Sequence, residues 1–185
     1  MTRSIAFLRA INVGGHTVKM DRLRQLFESL GFSSVETFIA SGNVVFEAPS
    51  QDAAALESRI EKRLLEALGY EVATFTRTDA ELAAIASYKP FRRSQLDCAV
   101  ALNIGFLKDK LDNRAKRKLM ALRTDIDDFD VHDRELHWLC RKRQSDSTLS
   151  NVVFEKALGQ RATFRGVNTV RRMAAQYVRG GWQPA

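Results

Sequence analysis

The sequence predicts an α+β protein of two tandem ferredoxin-like βαββαβ subdomains with antiparallel sheets. Three observations carry this. Residues 67 to 75 read ALGYEVATF and residues 157 to 164 read ALGQRATF, the same words with one residue fewer between them, each after a helical pattern. The order of strand-like and helix-like segments around those words is the same in both halves, the mark of an internal repeat. A βαββαβ unit with right-handed crossovers closes as a four-stranded antiparallel sheet covered by two helices.

In the first half SIAFL is a short apolar strand, and Leu23, Leu26, Phe27 and Leu30 recur at helical spacing before Gly31, which suits a C-cap. VETFIA and VVFEA flank SGN, a hairpin signal. Leu56, Ile60, Leu64, Leu65 and Leu68 then line one helix face, and EVATFTR reads as the fourth strand. Thr78 and Asp79 can cap one further helix, AELAAIASY. From Asp97 the order recurs: strand CAVALNIGFL, a lysine-rich helix over about 111–122, strands FDVHD and ELHWLCR, helix NVVFEKALG, strand ATFRG and helix TVRRMAAQYV. A two-residue turn at Asp133 and Arg134 sets Phe129 opposite Trp138 and Val131 opposite Leu136. Asp130, His132, Glu135 and His137 then fall on the other face, expected to meet water. Subdomains at 1–90 and 96–185 are expected, joined through KPFRRSQ.

The 185 residues are 45% hydrophobic, enough for a real core, with no apolar run near the roughly 18 residues of a membrane span and no signal-peptide-like stretch. A cytoplasmic protein without a membrane partner is therefore expected. Cys98 and Cys140 sit in apolar runs without CxxC spacing and read as reduced core thiols. The net charge of +7 resides in the C-terminal segment, where nine basic residues from Arg141 onward face two acidic ones. Such an excess points to an anionic partner, a phosphorylated small molecule or nucleic acid.

Two stretches qualify as anion sites. FLRAINVGGHTVKM is neither a Walker A loop nor GxGxxG, yet glycines at a strand-to-helix turn can aim backbone N–H groups at an anion. The βαββαβ topology puts this loop beside the SGN turn, so Arg9, Asn12, Gly14, Gly15, Lys19, Ser41, Gly42 and Asn43 form one candidate set. The plainer alternative is that the glycines and Asn43 only serve tight turns. The second set is Arg165, Asn168, Thr169, Arg171 and Arg172, with Asn168 as N-cap of the last helix and arginines where the macrodipole disfavours cations. Its alternative is a solvated basic face.

Other chemistry is thin. The run Asp125, Asp127, Asp128, Asp130 and Asp133 alternates along a strand, which puts only some carboxylates on one face and argues against a metal site. No GxSxG or HExxH motif occurs, and no catalytic residue is assigned; His16, inside the glycine loop, is the better placed of three histidines. SGNVVFEA lacks the aromatics of an RNA-recognition strand.

LRAINVGGHTVKM, FIASGNVVF, RTDAELAAI, KPF, SNVVFEKALG and ATFRGVNTV, in this order, resemble domain-of-unknown-function family 1697 over essentially the whole chain. The resemblance implies the tandem ferredoxin-like fold and no established activity. Ala10, Ala40 and the pair Gly166 and Val167 stand where that family's pattern carries glycine, glutamine and Asn-Trp. The resulting expectation is a protein that binds a phosphorylated or polyanionic ligand. A small enzyme acting on a phosphorylated substrate and a protein-interaction scaffold are the alternatives.

Overall fold

The computed structural model describes residues 1–12, 15–39, 42–49 and 52–183, so Gly14 and Ser41 of the first candidate set lie outside the described residues. The chain forms two four-stranded antiparallel sheets, each with flanking helices, in the order of two tandem ferredoxin-like units. Its contacts divide into two compact units, residues 1–84 with 173–183, and residues 85–172.

The first unit runs β1 (Thr2–Leu8), α1 (Met20–Glu28), β2 (Ser33–Thr37), β3 (Asn43–Ala48), α2 (Ala53–Leu68) and β4 (Thr74–Thr78), with sheet order β2-β3-β1-β4. Strand alternation turns Ala6 and Leu8 of β1 and Val44 and Phe46 of β3 to one face. There they pack on Leu23, Leu26 and Phe27 of α1 and Leu56, Ile60 and Leu64 of α2. The α2 helix starts where Asp52 accepts from the Ala55 N–H, and it ends at Gly69 (φ 79°), whose left-handed conformation suits glycine. The hairpin closes by the Phe38 N–H donating to Asn43 O, so its loop is longer than the three-residue SGN turn, and Asn43 becomes the first residue of β3.

The edge strand β4 does not leave its outward N–H groups bare. Glu57 of α2 accepts from both the Thr76 N–H (2.7 Å) and the Thr76 hydroxyl (3.1 Å), and Glu61 accepts from the Thr74 N–H (2.8 Å). The following helix, α3 (Asp79–Ser87), opens with a reciprocal capping box: the Thr78 hydroxyl accepts from the Glu81 N–H, and the Glu81 carboxylate accepts from the Thr78 N–H.

The second unit runs α4 (Arg93–Leu96), β5 (Ala101–Leu107), α5 (Asn113–Met120), β6 (Asp127–His132), β7 (Glu135–Cys140), α6 (Asn151–Leu158) and β8 (Ala162–Gly166). β8 passes directly into α7 (Val167–Tyr177), and the sheet order is β6-β7-β5-β8. The core holds Leu107, Leu119, Phe129, Trp138, Phe154 and Ala162, and the expected pairs Phe129 with Trp138 and Val131 with Leu136 are in register.

Three expectations need correction here. Cys98 is exposed; only Cys140 is buried, because the strand begins at Ala101 and leaves Cys98 in the preceding turn. The face carrying Asp130, His132, Glu135 and His137 meets water only in part: His132 is exposed and Asp130 half-buried, but Glu135 and His137 are buried, since Tyr88 lies over that face. The Tyr88 ring stacks 4.3 Å from His132 and lies 5.0 Å from His137, and its hydroxyl donates to Asp130 (3.0 Å). Asn168 is not the N-cap of the last helix, because α7 already begins at Val167 and Asn168 falls inside its first turn.

Candidate functional site

Within the first candidate set, the Asn12 and Asn43 side chains serve the loops themselves, whereas Arg9 Nε is buried without a hydrogen-bond partner among the described residues. The Leu8 N–H donates to Gly42 O (2.8 Å), so the loop after β1 does adjoin the loop after β2. Gly42 (φ 76°) is packed so closely that a Cβ there would lie 2.5 Å from Ile11 Cγ2. Asn12 closes its loop by accepting from the Val18 N–H (2.8 Å), and Asn43, fully buried, donates from Nδ2 to Phe38 O (3.0 Å). The Arg9 N–H donates to Ala73 O. Gly15 (φ 87°) and Lys19 are exposed, and His16 stacks on Tyr70 at 3.9 Å, whose hydroxyl donates to Ile11 O. Glycine and asparagine here solve a turn problem.

The second candidate set opens onto a cleft. A cavity of about 350 Å³ lies within the second unit where β5 outruns β8 and α7 begins, and Gly166, Asn168, Thr169 and Arg171 line it. Leu96 and Leu102 form an apolar wall. Two members of the set do not line it. Arg165 is buried beneath, donating to the Thr163 hydroxyl (2.9 Å) and Phe164 O (2.8 Å); desolvation holds its pKa down to about 10, still cationic at neutral pH. Arg172 follows Arg171 by about 100° of helix and points elsewhere.

Asn103 is the residue that sequence reasoning missed. It pairs with Gly166 across the β5–β8 ladder, is 9% exposed, and lines the cleft. Its Nδ2 is buried without a hydrogen-bond partner among the described residues, which is rare for a buried amide. The one available signal was a polar residue inside the otherwise apolar ALNIGFL.

The contrast with the same position in the first unit explains why this cleft is open. There Ser4 pairs with Thr78, and the Thr78 side chain caps α3. Here Gly166 stands in place of Thr78, with no side chain to cap α7, and a Cβ added to it would meet no atom within 4 Å. The first-turn N–H groups of α7 therefore face open space beside the Arg171 guanidinium, which has no hydrogen-bond or ion-pair partner among the described residues.

Fold and cleft together define a tandem ferredoxin-like α+β protein with an uncapped helix start beside a buried amide. The same fold occurs in the conserved bacterial protein SP0830 from Streptococcus pneumoniae, with a TM-score of 0.76 over 95% of this chain and 98% of that one, at 20% identity. The family model described as "Protein of unknown function (DUF1697)" matches residues 1–137, and the chain belongs to that family. The match ends inside β7, so Leu96 to Asn103 of the cleft lie within it and Gly166 to Arg171 beyond it. No curated protein matches the chain. Among the described residues no helix is long and apolar enough to cross a membrane.

Proposed function

We propose that the protein binds a small ligand bearing one oxyanion group, phosphate or carboxylate, in the cleft at the start of α7. The observation that carries this is the uncapped first turn of α7 opening onto a cavity of about 350 Å³ beside Arg171 and Asn103. The arrangement is rich in donors: backbone N–H groups, the Arg171 guanidinium, the Asn103 and Asn168 amides and the Thr169 hydroxyl. A helix start also carries a partial positive charge, so the cation Arg171 raises rather than relieves the local potential. An oxyanion satisfies all of these at once.

The cleft is sized for a small molecule, and a single lining guanidinium matches a single charge better than a polymer. Nucleic acid remains the competing ligand, through the basic C-terminal segment. Titration of inorganic phosphate and of oligonucleotides, in about 50 mM salt to preserve electrostatic contacts, followed by amide NMR, separates the two. The expected result is phosphate-induced shifts confined to 166–171 and neighbours, with affinity lost at least about tenfold in Arg171→Ala through the missing charge-assisted bond. Shifts absent from 166–171, or oligonucleotide binding that Arg9→Ala weakens and Arg171→Ala does not, would overturn the assignment.

A further inference from the structure

We infer that the ligand is amphiphilic: an oxyanion head at the start of α7, a short apolar body, and a hydrogen-bond acceptor at their junction that meets Asn103. This rests on the anion reading above and adds the class of molecule.

The cleft adjoins a second, smaller chamber of about 40 Å³, also inside the second unit, with which it shares Leu96, Leu102, Asn103, Val167 and Arg171. Ile85, Phe91 and Trp138 are among the residues that make most of the rest of its wall apolar, with Tyr88, Lys89 and His137 beside them. His137 is only 3% exposed and burial pushes its pKa down to about 4, so it is uncharged at neutral pH. The chamber thus offers mostly apolar surface, with Lys89 and Arg171 the charged groups that line it, and its volume holds about three water-sized groups, the bulk of a short alkyl chain. Leu102 and Asn103, neighbours on β5, each line both spaces.

The polar inventory places the acceptor. Asn103 Nδ2 is a buried donor without an acceptor, and unfilled donors of this kind are rare unless something outside the chain completes them. An ester, ether or carbonyl oxygen between head and body lies where that amide is. Gly166, whose missing side chain leaves the space open beside Asn103, sits directly across the ladder.

The test is calorimetric titration of the full chain with inorganic phosphate, propyl phosphate, butylphosphonate and pentanoate. Propyl phosphate and butylphosphonate have the same shape, but the second has a methylene in place of the ester oxygen. Propyl phosphate is expected to bind at least about tenfold more tightly than phosphate, from two methylenes and a methyl leaving water. It is also expected to exceed butylphosphonate severalfold, a preference that disappears in Asn103→Leu. Ile85→Ala, at a position that lines only the smaller chamber, should erase the advantage over phosphate while leaving phosphate affinity in place. Pentanoate separates a carboxylate head from a phosphoryl one. If phosphate binds but propyl phosphate binds no better, the amphiphile is refuted and the anion site stands; if none of the four binds, the anion site itself fails. The wild-type ligand series decides this even if a variant does not fold.

Discussion

Asp127 and Asn103 are both buried polar residues on strands of one sheet, and their bonding could hardly differ more. Asp127 accepts from Trp138 Nε1 (2.7 Å), from the Ser147 hydroxyl and from the Thr124 hydroxyl, so its carboxylate locks the start of β6 to β7 and to the turn after it. No described residue does the same for Asn103 Nδ2. That difference separates a structural polar group from a candidate binding group, and neither was legible from residue type alone. His137 shows the same limit. Its alternation along β7 placed it correctly opposite the core face, but the residues that cover that second face come from 85–91, far away in sequence. Its consequence is a pH dependence with a definite sign. Desolvation, partly offset by Asp130, lowers its pKa from 6.5 to about 4 in the folded chain. The unfolded chain therefore binds the extra proton between those values, and stability falls as pH drops from 6.5 toward 4. The loss from this one group approaches about 3 kcal/mol. Urea denaturation across that range should show a shallower acid loss for His137→Gln than for wild type; parallel curves would contradict the assignment.

At the scale of elements, the edge strands are closed by helix carboxylates. Glu57 and Glu61 of α2 serve β4, and Glu155 of α6 accepts from the Ala162 N–H of β8 (3.1 Å). Replacing Glu57 by Leu leaves the buried Thr76 N–H without its acceptor and should cost about 2–3 kcal/mol in urea denaturation. Glu57→Gln, which keeps a carbonyl in place, should cost less than half of that. The helix starts make a second element-scale test. Gly166→Thr with Thr169→Glu copies the Thr78–Glu81 capping box onto α7, and should stabilise the chain by about 1 kcal/mol while abolishing phosphate binding. Unchanged binding in that variant would show that the first turn of α7 is not the site. Element order was legible because each segment's hydrophobic period matches its role: Leu23, Leu26 and Phe27 recur at helical spacing, and Phe129 and Val131 alternate. Element ends were not. Whether Asn168 caps α7 depends on where β8 lets go of β5, which no local pattern in ATFRGVNTV specifies. The loop set was legible only in part for a related reason. The topology brought the two loops together as expected, but which of their groups would be spent on each other is a matter of side-chain packing.

For the whole molecule, several of the 29 Lys and Arg side chains are held in ion pairs, while the net excess of +7 stands beyond all 22 acids. Lys110 pairs with Asp133 (2.9 Å), Arg123 with Asp128 (2.8 Å), Arg93 with Asp97 (2.9 Å), and Arg179 with Glu47, whose carboxyl the arginine holds below the usual range. Exposed pairs of this kind add little stability, yet each removes a cation from contact with a long polyanion. The remaining positive excess still attracts anions diffusely. The two modes of attraction differ in how they respond to salt. A diffuse contact that neutralises about three phosphates of a nucleic acid loses roughly 40-fold in affinity between about 50 and 200 mM salt, by counterion release. A single oxyanion seated among fixed donors at the start of α7 is short-ranged and releases no such atmosphere, so its affinity should fall only severalfold over the same range. Paired titrations of propyl phosphate and a short oligonucleotide at both salt concentrations are therefore expected to diverge. Equally steep losses would place the anion preference in the overall charge and remove the reason to assign it to Arg171 and the open turn beside it.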